Sequence, residues 1–179
     1  MAQSYETHPA VTGGERQVLE IFLDHCRAQI REKASGLSDE QAGRHLVPSS
    51  TTIAGLLKHL AAVERSWFQR RLAGRDEADI GAHARGDDAS WEVGARDSLA
   101  GLIADYDEAC RGSRKVAAQF ALHDTVPHPR LGQVSLRWIY AHMIEETARH
   151  AGHADILREQ IDADRSARCG GGRDVLRHG

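Results

Sequence analysis

The 179-residue sequence has no asparagine, only three cysteines and four prolines, and aromatic residues at just 5% of positions. Cys26, Cys110 and Cys169 are odd in number, far apart and without a CxxC pair, which argues against both a disulfide framework and a zinc-thiolate cluster. No stretch approaches the ~18 apolar residues of a membrane span. The opening run MAQSYETHPAVTGGER lacks the basic start and apolar core of a signal peptide. The net charge of −3 is dispersed over mixed Arg, Asp and Glu, so no basic stripe is left for nucleic acid. A cytoplasmic chain with neither membrane nor nucleic acid as partner is expected. Also missing are a P-loop, a dinucleotide glycine fingerprint, a nucleophile-elbow serine and an HExxH motif.

What is present is histidine, eleven in all, and a basic complement that is almost entirely Arg, with only Lys33, Lys58 and Lys115. The length suits one domain, able to bury roughly 70% of the surface its unfolded chain exposes. Four segments carry the three-four spacing of amphipathic helices. The first runs from about Gly14 to Ser35, with Leu19, Phe22, Cys26 and Ile30 on one face and Gly36 placed to cap it. The second follows the hydroxyl-rich SSTT, carries Ile53, Leu56, Leu60, Val63 and Trp67, and ends near Gly74. The third starts around Ser98, with Leu99, Leu102, Tyr106, Ala109, Ser113, Val116 and Phe120. The fourth follows Ser135, with Leu136, Tyr140, Met143, Thr147, His150, Ala154, Leu157 and Ile161 in unbroken alternation. No segment alternates with period two long enough to propose a sheet.

A short loop between the first two helices and a long polar crossing between the second and third predict an all-α four-helix bundle. Residues 1–13 are expected to be a flexible N-terminus, 14–162 the bundle, and the Gly/Arg-rich 163–179 a mobile tail.

The chemistry concentrates in HMIEETARHAGHAD on the fourth helix. At 100° per residue His142, Glu146, His150 and His153 project within about 80° of one another. Glu146 and His150, four apart, are neighbours on adjacent turns, where a carboxylate oxygen and an imidazole nitrogen can converge on one ion. The same spacing also serves a solvated surface pair. His150, however, lies on the apolar seam between Thr147 and Ala154, where both ring nitrogens would need partners. A third ligand must come from another helix. His59, three residues after Leu56 and four before Val63, borders the buried stripe of the second helix. Alone it reads more readily as a satisfied core histidine than as a ligand, and only joint use with Glu146 and His150 changes that balance. His142 and His153 read as pocket groups or a fourth ligand. His45, His83, His123 and His128 read as solvated loop or helix-end residues, and His25 could face either way. Trp67, Arg137 and Trp138 are candidate pocket residues, though Trp67 also fits the helix seam and Arg137 could pair with a nearby acid.

The runs GLSDEQAGRHLVPSSTTIAGLLKHLAAVERSWF and GQVSLRWIYAHMIEETARHAGHADILREQID resemble the DinB-like (YfiT-like) metal-dependent superfamily, specifically its actinobacterial mini-circle-protein branch. The resemblance spans about Gly14 to Asp162. It implies an up-down-down-up bundle whose metal takes one ligand from the second helix and a pair spaced by four from the fourth. His59, Glu146 and His150 occupy those positions. The Glu-and-His version is similar to the bundle domain of mycothiol-dependent maleylpyruvate isomerase, whose second domain has no counterpart here. The implied cofactor is a divalent ion, zinc first, with nickel, iron or manganese as alternatives. The implied activity is thiol S-transfer, joining a mycothiol-like thiol to an electrophilic small molecule, and a homodimer is one option for assembly. A hydrolase using water, with His142 or His153 as base, and a non-enzymatic metal- or ligand-binding bundle are the rival readings.

Overall fold

The structure is a computed structural model describing residues 12–80 and 88–170. It is mostly helical, in the order α1 (Glu15–Ala34), α2 (Asp39–Ala42), α3 (Ile53–Glu64), a π-helical segment (Arg65–Leu72), α4 (Glu77–Ile80), a 3-10 turn (Asp88–Trp91), α5 (Leu99–Ala117), a hairpin of β1 (Thr125–His128) and β2 (Gly132–Ser135), and α6 (Leu136–Gly170). α3 and α5 begin where side-chain oxygens satisfy their first free N–H groups. Thr52 accepts from Gly55 N and Ser98 from Gly101 N. Glycines in the left-handed region follow α1 and the π segment, Gly36 at φ 71° and Gly74 at φ 65°.

Two apolar clusters make the core. One joins Ile30 and Ala34 of α1 to Leu56, Leu57 and Leu60 of α3, Leu102 and Tyr106 of α5, and Ala154, Leu157 and Ile161 of α6. The other joins Leu23, Val63, Phe68, Leu72 and Val116 to Leu136, Ile139, Tyr140 and Met143. Between them lies a polar layer. The Arg27 guanidinium donates from Nε and Nη2 to the two Glu64 oxygens at 2.7 and 2.6 Å, with Glu64 wholly buried. Thr147 and His150 lie at the same level of α6 and are also buried.

Three expectations need correction. Phe22 is 43% exposed, and Leu23, fully buried, takes its place on the inner face of α1. A two-stranded antiparallel sheet does exist, pairing Val126 with Val134 and His128 with Gly132. Strands of four residues, one interrupted by Pro127, are too short to show a period, and Gly132 at φ 76° closes the three-residue loop. His128 is buried rather than solvated, because that hairpin folds it under Trp67, its Nδ1 accepting from the N–H groups of Arg130 and Leu131.

α6 continues to Gly170, past Asp162. Residues 1–11 and 171–179, within the expected flexible ends, lie outside the described residues, as does His83. No helix among the described residues is long and apolar enough to cross a membrane.

Candidate metal centre

The polar layer opens on one side between α3 and α6, where the three predicted ligands meet. His59 (6% exposed), His150 (7%) and the half-buried Glu146 each place one donor atom within 4.8 Å of the other two. Glu146 Oε1 lies 3.1 Å from His150 Nε2 and 3.6 Å from His59 Nε2. Donors held about 2.1 Å from a tetrahedral ion lie roughly 3.4 Å apart. The donor set therefore fits a divalent ion in both chemistry and spacing.

The surroundings hold these groups in place. His59 Nδ1 is 2.8 Å from the Ser90 hydroxyl, deep in the protein. With the ring proton on Nδ1 and donated to Ser90, Nε2 is left as the lone pair that ligation requires. The Trp91 indole stacks on the His59 ring at 4.1 Å and 16°, and meets His150 edge-on at 5.3 Å. Both residues come from the 3-10 turn in the polar crossing. Gly55 permits this approach, since a Cβ there would sit 3.1 Å from the Trp91 carbonyl oxygen. Lys58 Nζ ties the crossing down by donating to Glu92 O at 2.6 Å and Asp97 at 2.9 Å. On the outer side, Arg149 Nη1 donates to Glu146 Oε2 at 3.1 Å. The Glu146 carboxyl is held far below the usual carboxylate range, first by the hydrogen bond from His150, then by the His59 imidazole, against the opposing effect of burial.

The remaining candidates separate. His153 is exposed at the rim, its ring 5.5 Å from that of His150. His142 lies one turn before Glu146 on α6, in edge contact with Trp67 at 4.6 Å and stacked on Trp138 at 5.2 Å. Trp67 and Trp138 thus form a wall beside the triad, but Arg137 does not join it. Its guanidinium pairs with Glu15 at 2.5 Å on the outer surface. Ser90 and Trp91 escaped sequence reasoning because the polar crossing has no periodicity to place them.

Fold and site together define a class: mostly helical proteins that converge two histidines and a carboxylate between two long helices. The family profile of the mycothiol S-transferases matches residues 18–163, and the chain belongs to that family. Its resemblance to the DinB-like superfamily is thereby borne out. No curated protein matches the sequence. Among solved structures, a conserved protein from Enterococcus faecalis is similar at TM-score 0.60 and 16% identity, over 84% of this chain and 99% of that one. At that identity the likeness concerns the fold alone.

Proposed function

We propose that the chain is a metal-dependent S-transferase that joins a low-molecular-weight thiol of the mycothiol type to an electrophilic small molecule. The observation that carries this reading is the convergence of His59, Glu146 and His150 in a member of the mycothiol S-transferase family. Overall, a sulfur–carbon bond forms, the thiol proton passes to solvent or to the adduct, and any leaving group departs with its electron pair. His59, Glu146 and His150 would hold the ion, and we infer zinc from two imidazoles and one carboxylate, with an open fourth position. When bound, such an ion lowers the pKa of a thiol or water that reaches it. Ser90 fixes the His59 ring, Arg149 fixes the Glu146 carboxylate, and Trp91 keeps water off one side of both imidazoles. In the same reading the four long helical segments form the family's up-down-down-up bundle.

The test is to incubate the purified zinc-loaded chain with mycothiol and a panel of electrophiles and to identify adducts by mass spectrometry. Adducts should form faster than without protein, should disappear with His150→Ala, and should persist in the Cys26→Ser/Cys110→Ser double variant. Hydrolysis of esters or amides without thiol, in place of adducts, would overturn the reading.

A further inference from the structure

Beyond the triad, the π segment, the hairpin and α6 bring together a second group of side chains that the metal does not require. Trp67 lies at its centre. His128 stacks on it at 5.6 Å and 8°, His142 meets it edge-on, and Trp138 leans against it at 5.4 Å. The Arg71 guanidinium lies over the Trp67 ring, 4.6 Å from its centroid. Arg71 Nε is buried and has no hydrogen-bond partner among the described residues. The charges near it are of its own sign: its pKa is lowered by burial and then by Arg70 and Arg130. The hairpin adds one more donor. Because His128 Nδ1 accepts from two backbone N–H groups, the proton of its neutral ring is on Nε2. The site thus combines aromatic side chains, a guanidinium, that of Arg71, with no acid partner among the described residues, and an unpaired N–H, while Arg70 beside it is paired with Glu77 at 4.0 Å. It begins one turn of α6, about 6 Å, from Glu146.

Aromatic faces alone would suit any flat or sugar-like group. A guanidinium such as that of Arg71, with no acid partner among the described residues and an orphaned donor, is costly unless an anion completes it, and a carboxylate matches a guanidinium edge. We infer that Trp67, Trp138 and Arg71 form the subsite for the electrophile, and that it takes a planar, conjugated carboxylic acid whose ring rests on the indoles and whose carboxylate meets Arg71. This deepens the proposed thiol transfer and rests on it for the word electrophile. The anion-binding geometry stands on the residues just described.

The test uses the full zinc-loaded chain with 2-naphthoate and its neutral isostere 2-naphthamide, neither of which offers a thiol anything to displace. Calorimetry gives the affinities, and the indole N–H signals of Trp67, Trp91 and Trp138 locate the ligand. Naphthoate should bind at least tenfold more tightly than naphthamide and shift Trp67 and Trp138. Arg71→Gln should reduce that preference to less than threefold, and Trp138→Ala, at a position 39% exposed and so safe for folding, should weaken both ligands. Equal binding of the two ligands would overturn the inference. So would shifts confined to Trp91 with a preference insensitive to Arg71→Gln, which would mean that the carboxylate sits on the metal. If adducts never form but the naphthoate preference and its Arg71 dependence hold, the transfer reaction fails and the acid-binding subsite stands.

Discussion

Ser90→Ala isolates the contribution of the crossing to the metal centre. The hydroxyl sits 2.8 Å from His59 Nδ1, with Ser90 wholly buried and His59 6% exposed. Deleting it leaves the imidazole N–H buried and unpaired, a loss of about 1–3 kcal/mol. It also frees the ring to rotate and to exchange tautomers. Loss of such an outer partner weakens metal binding by roughly 10–100-fold, or about 1.4–2.7 kcal/mol. The first range is a loss of folding stability and the second a loss of metal affinity, and the two are measured separately. The crossing itself should stay in place, since Lys58 still holds Glu92 and Asp97 and the Trp91 ring still covers His59. Zinc affinity is measured by competition with a chromophoric chelator, for the wild type, Ser90→Ala and Ser98→Ala. The last removes the cap of α5 and should cost about 1 kcal/mol of stability with zinc affinity unchanged. A Ser90→Ala protein that binds zinc within threefold of wild type would refute the role assigned to the crossing.

His59→Ala, Glu146→Ala and His150→Ala should each lose most of their zinc by elemental analysis, whereas His142→Ala and His153→Ala should keep it, since neither is in the converging group. Glu64→Gln should destabilise the protein in urea by less than the roughly 3–5 kcal/mol of a fully stranded buried charge, because Asp24 still accepts from Arg27 Nη1 at 2.7 Å, and the Arg27→Met/Glu64→Leu double variant should lose far less than the sum of its single changes. Cys26 and Cys110 are buried, and burial pushes both thiols up in pKa. Peptide mapping after treatment with a thiol reagent at pH 8 should therefore find both residues unlabelled in the native protein and labelled in guanidinium.

The parts of the molecule legible in the sequence are those fixed by local chemistry. Thr52, Ser98, Gly36 and Gly74 mark helix ends because a free N–H or a left-handed turn has few residues that satisfy it. The α6 stripe from Leu136 to Ile161 is buried at every position that the alternation marks. Within it the unusual His150 stood out because an imidazole on an apolar seam needs an explanation. The hairpin and the 3-10 turn were not legible. Their residues are fixed by what they pack on, His128 by Trp67 and Ser90 by His59, and such long-range partners leave no periodic trace.

Trp67 was assigned to the helix seam from its spacing after Val63, yet an uninterrupted α-helix would carry it away from His59. Eight residues at 100° each put it about 80° around the axis. From Arg65 to Leu72 the winding is π-helical, and at its end the Ala73 N–H donates to Phe68 O, five residues back, at 3.1 Å. Each such turn takes up roughly one residue more than an α-turn, so every residue after Glu64 lags by about 20°. By Trp67 the lag has returned the indole to within roughly 20–30° of His59. The indole therefore faces the same stretch of α6, where His142 and Glu146 lie one turn apart. The switch in winding begins immediately after Glu64, which the buried Arg27 pair fixes in the core. The metal-type triad and the aromatic, cationic wall lie side by side because the helix that supplies His59 changes from α winding to the wider π winding after Glu64.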